Sequence, residues 1–282
     1  MRLATIIDGH PTPAVVGPRG VAPVGELGDF AGETMALLAH WPAVEQAAER
    51  APESVWRPRE SVTFTVPYRR PRKIWGIGLN YADHAADLSE KAPDQPASFI
   101  KGDHTIAGPD SPIVIPWQSE RTTAEAELGL VIGREARDVS EADALDYVWG
   151  VTPILDQTAE DILRLNPRFL TRCKNFETFF VFGPELVPMS EVLDTFGSLA
   201  DIEVTTIVER DGRQERRTNV VANMTHSPAS LVAFHSQMMP LFPGDIISTG
   251  TPGAIVIADG DVARADIPGI GQLRTSVVAQ AR

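Results

Sequence analysis

Two glutamates one residue apart in an otherwise apolar run constrain this chain more than any other feature. The segment Ala124-Glu125-Ala126-Glu127-Leu128-Gly129-Leu130-Val131-Ile132-Gly133 has the composition of a strand. Strand side chains alternate faces, so Glu125 and Glu127 point one way while Ala126, Leu128, Leu130 and Ile132 point the other. A strand this apolar is buried on at least one side, which crowds two carboxylates together. Like charges that close share a proton or hold a cation. Oxygen-only ligation favours Mg²⁺ or Mn²⁺, with Ca²⁺ also admitted, over zinc. The same pattern fits the wet face of a half-exposed strand, and this segment alone leaves both readings open.

A third carboxylate tips the balance towards the cation. Asp156 closes the apolar run Tyr147–Leu155, and a strand end is where a ligand-facing residue often sits. Two glutamates and an aspartate make a facial oxygen set with positions left for water and substrate. Taken singly, Asp156 also reads as a helix cap for Thr158–Leu163.

Composition narrows the function classes. The chain has 282 residues and a formal net charge of −13, which argues against a nucleic-acid partner or an anionic membrane surface. No apolar run approaches the ~20 residues of a membrane span, and the N-terminus meets Asp8 before any signal-like stretch develops. A single cysteine, Cys173, excludes an internal disulfide and a cysteine-based zinc site. These features predict a soluble, cytoplasmic globular protein. Cys173 reads as a small buried side chain and not as a nucleophile.

Residues 1–70 read as a small N-terminal α+β domain with a Pro-rich linker, and 71–282 as the main domain. Arg2–Ile7 is a predicted strand, and the spacing of Met35, Leu37, Leu38, Trp41 and Val44 predicts a helix within Glu33–Arg50 that Pro42 divides. Pro52, Pro58, Pro67 and Pro71 then favour extended chain, and the basic cluster Arg69–Lys73 reads as solvated linker. Beyond Lys73 short strands dominate, among them Ala97–Lys101 and Ile202–Arg210, the latter joined to Arg213–Thr218 through the hairpin signal Asp211-Gly212. Helices are expected over Tyr81–Glu90, Ser140–Tyr147 and Ser227–Met239.

In Gly76–Asp87 a strand runs into a predicted helix that carries His84 and Asp87 three residues apart, and hence adjacent. A carboxylate beside an imidazole fixes its tautomer and raises its basicity, which suits a general base. Alone, the pair also reads as an ordinary helix-surface contact.

Together these segments resemble the fumarylacetoacetate hydrolase family. Its Gly-x-Asn-Tyr-x-x-His segment is matched by Gly78, Asn80, Tyr81 and His84, and its Glu-x-Glu-Leu-x-x-Val-Ile-Gly motif by Glu125, Glu127, Leu128, Val131, Ile132 and Gly133. Asp156, Thr158 and Ala159 match the downstream aspartate, Cys173–Thr178 matches a Lys-x-Phe-acidic-Thr segment, and Pro243–Pro252 matches a Pro-Gly-Asp-x-Ile-x-Thr-Gly-Thr-Pro signature. The resemblance implies a strand-rich α+β fold, a mixed β-sheet roll usually paired as a homodimer. It also implies a divalent-metal site at Glu125, Glu127 and Asp156, with Lys174 close by, and a lid around His84–Lys91. The substrates it implies are 2-oxo and 1,3-diketo acids, as met in aromatic catabolism.

Within that resemblance the expected activity is metal-dependent C–C hydrolysis of an acylpyruvate-type acid through a stabilised enolate. His84, oriented by Asp87, activates water; Lys174 faces the developing oxyanion; Asn80, Tyr81, Thr249, Gly250 and Thr251 contact substrate. The alternatives are isomerisation (tautomerisation), hydration or decarboxylation of a 2-oxo acid such as a 2-hydroxymuconate-type diacid or oxaloacetate, and a catalytically silent metal-binding paralogue. Two departures stand out. Asp87 is a methylene shorter than the Glu common at its position, and Thr158-Ala159-Glu160-Asp161-Ile162-Leu163 replaces a pattern that carries Arg and Gln where this chain has Glu160 and Leu163. Their loss removes a positive charge and an amide near the site.

Overall fold

The computed structural model describes residues 1–81 and 93–281. The helix expected over 81–90, and with it His84 and Asp87, lies outside them apart from Tyr81.

Two long strands form the spine. Thr122–Ile132 and Val148–Ala159 run antiparallel, from Thr122 opposite Ala159 to Ile132 opposite Val148. Every residue of Thr122–Ile132 is buried, which suits its run of Ala, Leu, Val and Ile to a sheet covered on both faces. The pair sits inside a thirteen-stranded sheet, flanked by Glu185–Pro188 on one side and Ile246–Ser248 on the other. Ile246–Ser248 runs antiparallel to Thr122–Ile132 but parallel to Ile74–Gly78, so the sheet is mixed. Ala97–Lys101 then pairs with Ile74–Gly78 at the far edge.

A second sheet of five strands covers one face: Arg213–Val220, Glu203–Arg210, Val262–Ile267, Gly271–Ala279 and Ile113–Ile115. Ala126, Leu128, Leu130 and Leu155 of the first sheet share a core with Val204, Val208, Ala263, Ala265 and Leu273 of the second. On the opposite face Val131, Ile154, Phe180 and Phe182 pack with Leu37, Leu38, Trp41 and Val44 from the first fifty residues. Arg2–Asp8 pairs with Glu185–Pro188, Leu3 opposite Leu186, so the N-terminal strands prolong the main sheet. This is the strand-rich α+β architecture expected.

Details differ where local pattern was the only guide. Asp156 does not end its strand: the ladder with Thr122–Ile132 supplies partners as far as Ala159. The expected helix Ser140–Tyr147 is a 3-10 turn over Ala144–Tyr147, with Ser140 bonded to Asp143 by side chain and backbone instead of opening a helix. The Glu33–Arg50 helix divides into Thr34–Leu37, a 3-10 turn and Trp41–Arg50, and Pro42 takes the first turn of the last piece, where a missing N–H costs nothing. Asp211 and Gly212 both have positive φ, 49° and 74°, as a two-residue type I′ hairpin turn requires.

Leu130 is fully buried between the two sheets. Leu130→Ala is expected to lower the unfolding free energy by about 2–5 kcal/mol, read as a lower urea midpoint with an unchanged slope.

Candidate metal centre

The ladder register builds the site. Asp156 lies directly opposite Glu125, and Glu127 lies two residues along on the same face. One oxygen from each of the three comes within 4.8 Å of the others, and all three residues are buried. Three ionised carboxylates this close and this dry are untenable alone.

Two buried lysines answer part of that charge. Lys174 ends the short helix Leu170–Lys174 and places Nζ 2.7 Å from Asp156 Oδ2 and 3.1 Å from Glu125 Oε2. Lys101 ends the edge strand Ala97–Lys101 and places Nζ 2.5 Å from Asp156 Oδ1. The Phe99 ring lies 4.9 Å from Lys174 Nζ, within cation–π range. Burial works against the Lys174 charge, but Asp156, Glu125 and Glu127 outweigh it and raise its pKa. For Lys101 burial prevails over the attraction of Asp156, with Lys174 adding repulsion, and its pKa falls.

The carboxylates are also fixed by neutral donors. Thr123 and Thr158 donate hydroxyls to Glu125 Oε1 at 2.8 and 2.6 Å. Ser248 Oγ and the Gly250 N–H donate to Glu127 Oε2 at 2.5 and 2.8 Å. Gly250 has φ +99°, and a Cβ there would sit 2.8 Å from Asn80 Cβ, so only glycine delivers this N–H. Even so, burial and then the charge of Asp156 push Glu127 up to about 8. With both lysines charged, the three carboxylates still leave one surplus negative charge in a buried, all-oxygen donor set. That set fits a hard divalent cation.

The other expected site residues that are described, Asn80, Tyr81, Thr249, Gly250 and Thr251, gather round the same point. Asn80 serves backbone: its amide donates to Thr249 O at 2.8 Å and His226 O at 3.0 Å, and its Oδ1 accepts from His226 N. Thr249 Oγ1 donates to Leu128 O, and Thr251 Oγ1 donates to Gly253 O, so these residues brace the turn that holds Glu127. The Tyr81 hydroxyl is buried and has no hydrogen-bond partner among the described residues. Burial and then Glu127 raise its pKa. Cys173 is buried, and burial pushes its thiol up to about 11, which disqualifies it as a nucleophile at neutral pH. Lys101, Thr123 and Ser248 were not singled out from sequence. The one local sign for Lys101 is a lysine closing an apolar strand.

Residues 73–278 match the family model for the fumarylacetoacetate (FAA) hydrolase C-terminal. The chain belongs to the fumarylacetoacetate hydrolase family. Within it, the oxaloacetate tautomerase Fahd2a of Rattus norvegicus mitochondria is 32% identical over 229 residues, 78% of this chain and 71% of that protein. The 4-hydroxyphenylacetate degradation bifunctional isomerase/decarboxylase of Escherichia coli is 36% identical over 208 residues, 73% of this chain and 47% of that protein. Among solved structures, maleylpyruvate hydrolase from Sphingobium sp. SYK-6, in complex with manganese (II) ion and pyruvate, superposes with a TM-score of 0.82 at 27% identity, covering all of both chains. The buried acidic triad of Glu125, Glu127 and Asp156 is a donor set suited to a divalent ion.

A carboxyl whose pKa is raised on folding stabilises the folded state below its ordinary value and loses that contribution as pH rises through the folded value. With Glu127 moved from 4.5 to about 8, the chelator-treated protein is expected to lose stability between pH 5 and 8. Added Mg²⁺ or Mn²⁺, which displaces the proton, is expected to flatten that slope, and Glu127→Gln to remove most of it. Urea midpoints across this pH range, with and without metal, make the comparison.

Proposed function

We propose that this protein is a divalent-metal-dependent hydrolase that cleaves a C–C bond in an acylpyruvate-type 1,3-diketo acid. The observation that carries the reading is the buried triad of Glu125, Glu127 and Asp156 with two lysines in contact. Glu125, Glu127 and Asp156 would hold a divalent ion, which would supply Lewis-acid polarisation to a 2-oxo acid.

The chain's own residues then divide the work. Lys174, held charged by its carboxylate neighbours, stabilises negative charge as it develops on the substrate oxygen. His84, aided by Asp87, takes a proton from water, and the resulting hydroxide attacks the distal carbonyl. The C–C bond breaks and its electron pair remains on the 2-oxo acid fragment as an enolate, which recovers the proton from His84. The distal fragment leaves as a carboxylic acid. Asn80, Thr249 and Gly250 keep the Glu127 side chain in place through this sequence. The maleylpyruvate hydrolase likeness over the full chain supports this reading.

The names of the rat tautomerase and the E. coli isomerase/decarboxylase favour a second reading, keto–enol isomerisation or decarboxylation of a 2-oxo acid. That chemistry needs the enolate but no attacking water. His84→Ala separates the two: a general base contributes about 10²–10⁴-fold, so acylpyruvate hydrolysis is expected to fall by that factor while oxaloacetate tautomerisation persists. Normal hydrolysis by this variant would remove His84 from the mechanism. Glu125→Gln is expected to weaken Mn²⁺ binding in calorimetric titration and to abolish turnover together with it; a binding-only protein would show the first loss with no turnover to lose.

A further inference from the structure

Lys101 and Lys174 both hold Asp156, but they stand differently. The Lys101 side chain is 0% exposed, and its Nζ donates to Asp156 Oδ1. The Lys174 side chain is 7% exposed, and its Nζ bridges Asp156 Oδ2 and Glu125 Oε2. Asp156 therefore turns Oδ2 towards Glu125 and gives Oδ1 to Lys101. Glu125 is the member of the triad whose side chain reaches solvent, at 10% exposure. Lys174 thus stands on the Glu125 side of Asp156, and Lys101 on its enclosed side.

The two lysines arrive on separate elements, the edge strand Ala97–Lys101 and the helix Leu170–Lys174. Asn175, the residue after Lys174, ties one to the other. Its Nδ2 donates to Ile100 O at 3.2 Å, and its Oδ1 accepts from the Gly102 N–H at 2.7 Å. Those are the two peptide groups that flank Lys101. A single side-chain amide, with one donor side and one acceptor side, grips the backbone before and after that lysine as a neighbouring strand would. The grip falls on a strand that needs it. Among the described residues Ala97–Lys101 pairs only with Ile74–Gly78, which leaves its other side without a ladder. The Asn175 backbone is held in turn, its O accepting from His104 Nε2 at 2.9 Å.

We propose that Asn175 is a positioning residue: by fixing Lys101 against Asp156 Oδ1, it keeps Asp156 a one-oxygen ligand of the divalent ion. This rests on the reading that the triad holds that ion. A carboxylate bound through one oxygen takes one coordination position, and a carboxylate bound through both takes two. Lys101 on Oδ1 blocks the second mode and so leaves a position for water or a substrate oxygen, an outer-shell contact that sets how the ligand meets the metal. Attraction alone does not fix that contact, because a lysine ammonium is a point charge on a flexible four-carbon stem. The backbone beneath it has to be held, and the Asn175 amide holds it. Lys174 is anchored at the adjacent residue, so one side chain sets the spacing of the two ammoniums across Asp156.

The test is pulsed EPR of the Mn²⁺-loaded full chain in heavy water, where deuterium modulation counts the water bound to the ion. Asn175→Ala is expected to lose about one coordinated water, as Asp156 closes on the ion with both oxygens. Lys101→Met is expected to show the same loss, and Asn175→Ala added to it is expected to lose nothing more, since the two residues act in series. His104→Ala, which leaves the Asn175 amide in place, is expected to keep the wild-type count. An unchanged count in Asn175→Ala, whether or not its melting temperature falls, would make Asn175 purely structural and overturn this inference while leaving the triad reading intact. An equal loss in His104→Ala would do the same, by assigning the effect to the loop and not to the amide. Failure of the wild type to take up Mn²⁺ would overturn both. Asn175→Ala retains both lysines, so the comparison stands even where Lys101→Met does not fold.

Discussion

The pairing of Thr122–Ile132 with Val148–Ala159 is the constraint on which the rest depends. It sets Asp156 against Glu125 with the two facing carboxylates on one side of the sheet, and leaves aliphatic side chains to fill the other. A slip of one residue in either strand would turn carboxylates into the intersheet core and leucines into the site. The apolar packing of Ala126, Leu128, Leu130 and Leu155 is thus what holds the acidic cluster together against its own repulsion. Stability and function draw on opposite faces of the same two strands.

Burying three carboxylates is tolerable only because each of them accepts from buried donors. Lys101 and Lys174 cover Asp156 from both sides, two threonine hydroxyls and Lys174 serve Glu125, and Ser248 with the Gly250 N–H serves Glu127. Glu127 accepts from neutral donors and has no lysine in hydrogen-bond contact, and burial with the charge of Asp156 drives it towards its neutral form. The metal-free site is therefore short of one positive charge, and the shortage is localised on the residue that the 249–251 turn presents. Asn80 matters here at one remove, since it ties that turn to the chain near His226.

Glu160 shows what a departure from a family pattern looks like once its neighbours are in place. Its sequence context reads as the loss of a positive charge beside the site. In the fold it collects Arg121 and Arg164 as ion-pair partners, with Asp161 beside it bonded to Ser119 and the Glu120 N–H. Arg121 is thirty-nine positions earlier in the chain, and no local pattern connects it with the helix that follows Asp156.

The amino-acid sequence by itself determined the face that Glu125 and Glu127 share, the Asp211-Gly212 hairpin and the strand-rich class, because alternation and turn chemistry are local properties of the backbone. Its motifs also pointed to Asp156 and Lys174 as partners of that pair. Only the tertiary structure decided that Asp156 lies within a strand and not at its end, that Lys101 is buried against it from a distant edge strand, and that the hydroxyls of Thr123, Thr158 and Ser248 complete the carboxylate shell. Those facts depend on which strands become neighbours and in what register. That choice is made by burial of aliphatic side chains summed over the whole sheet, and no single segment carries it.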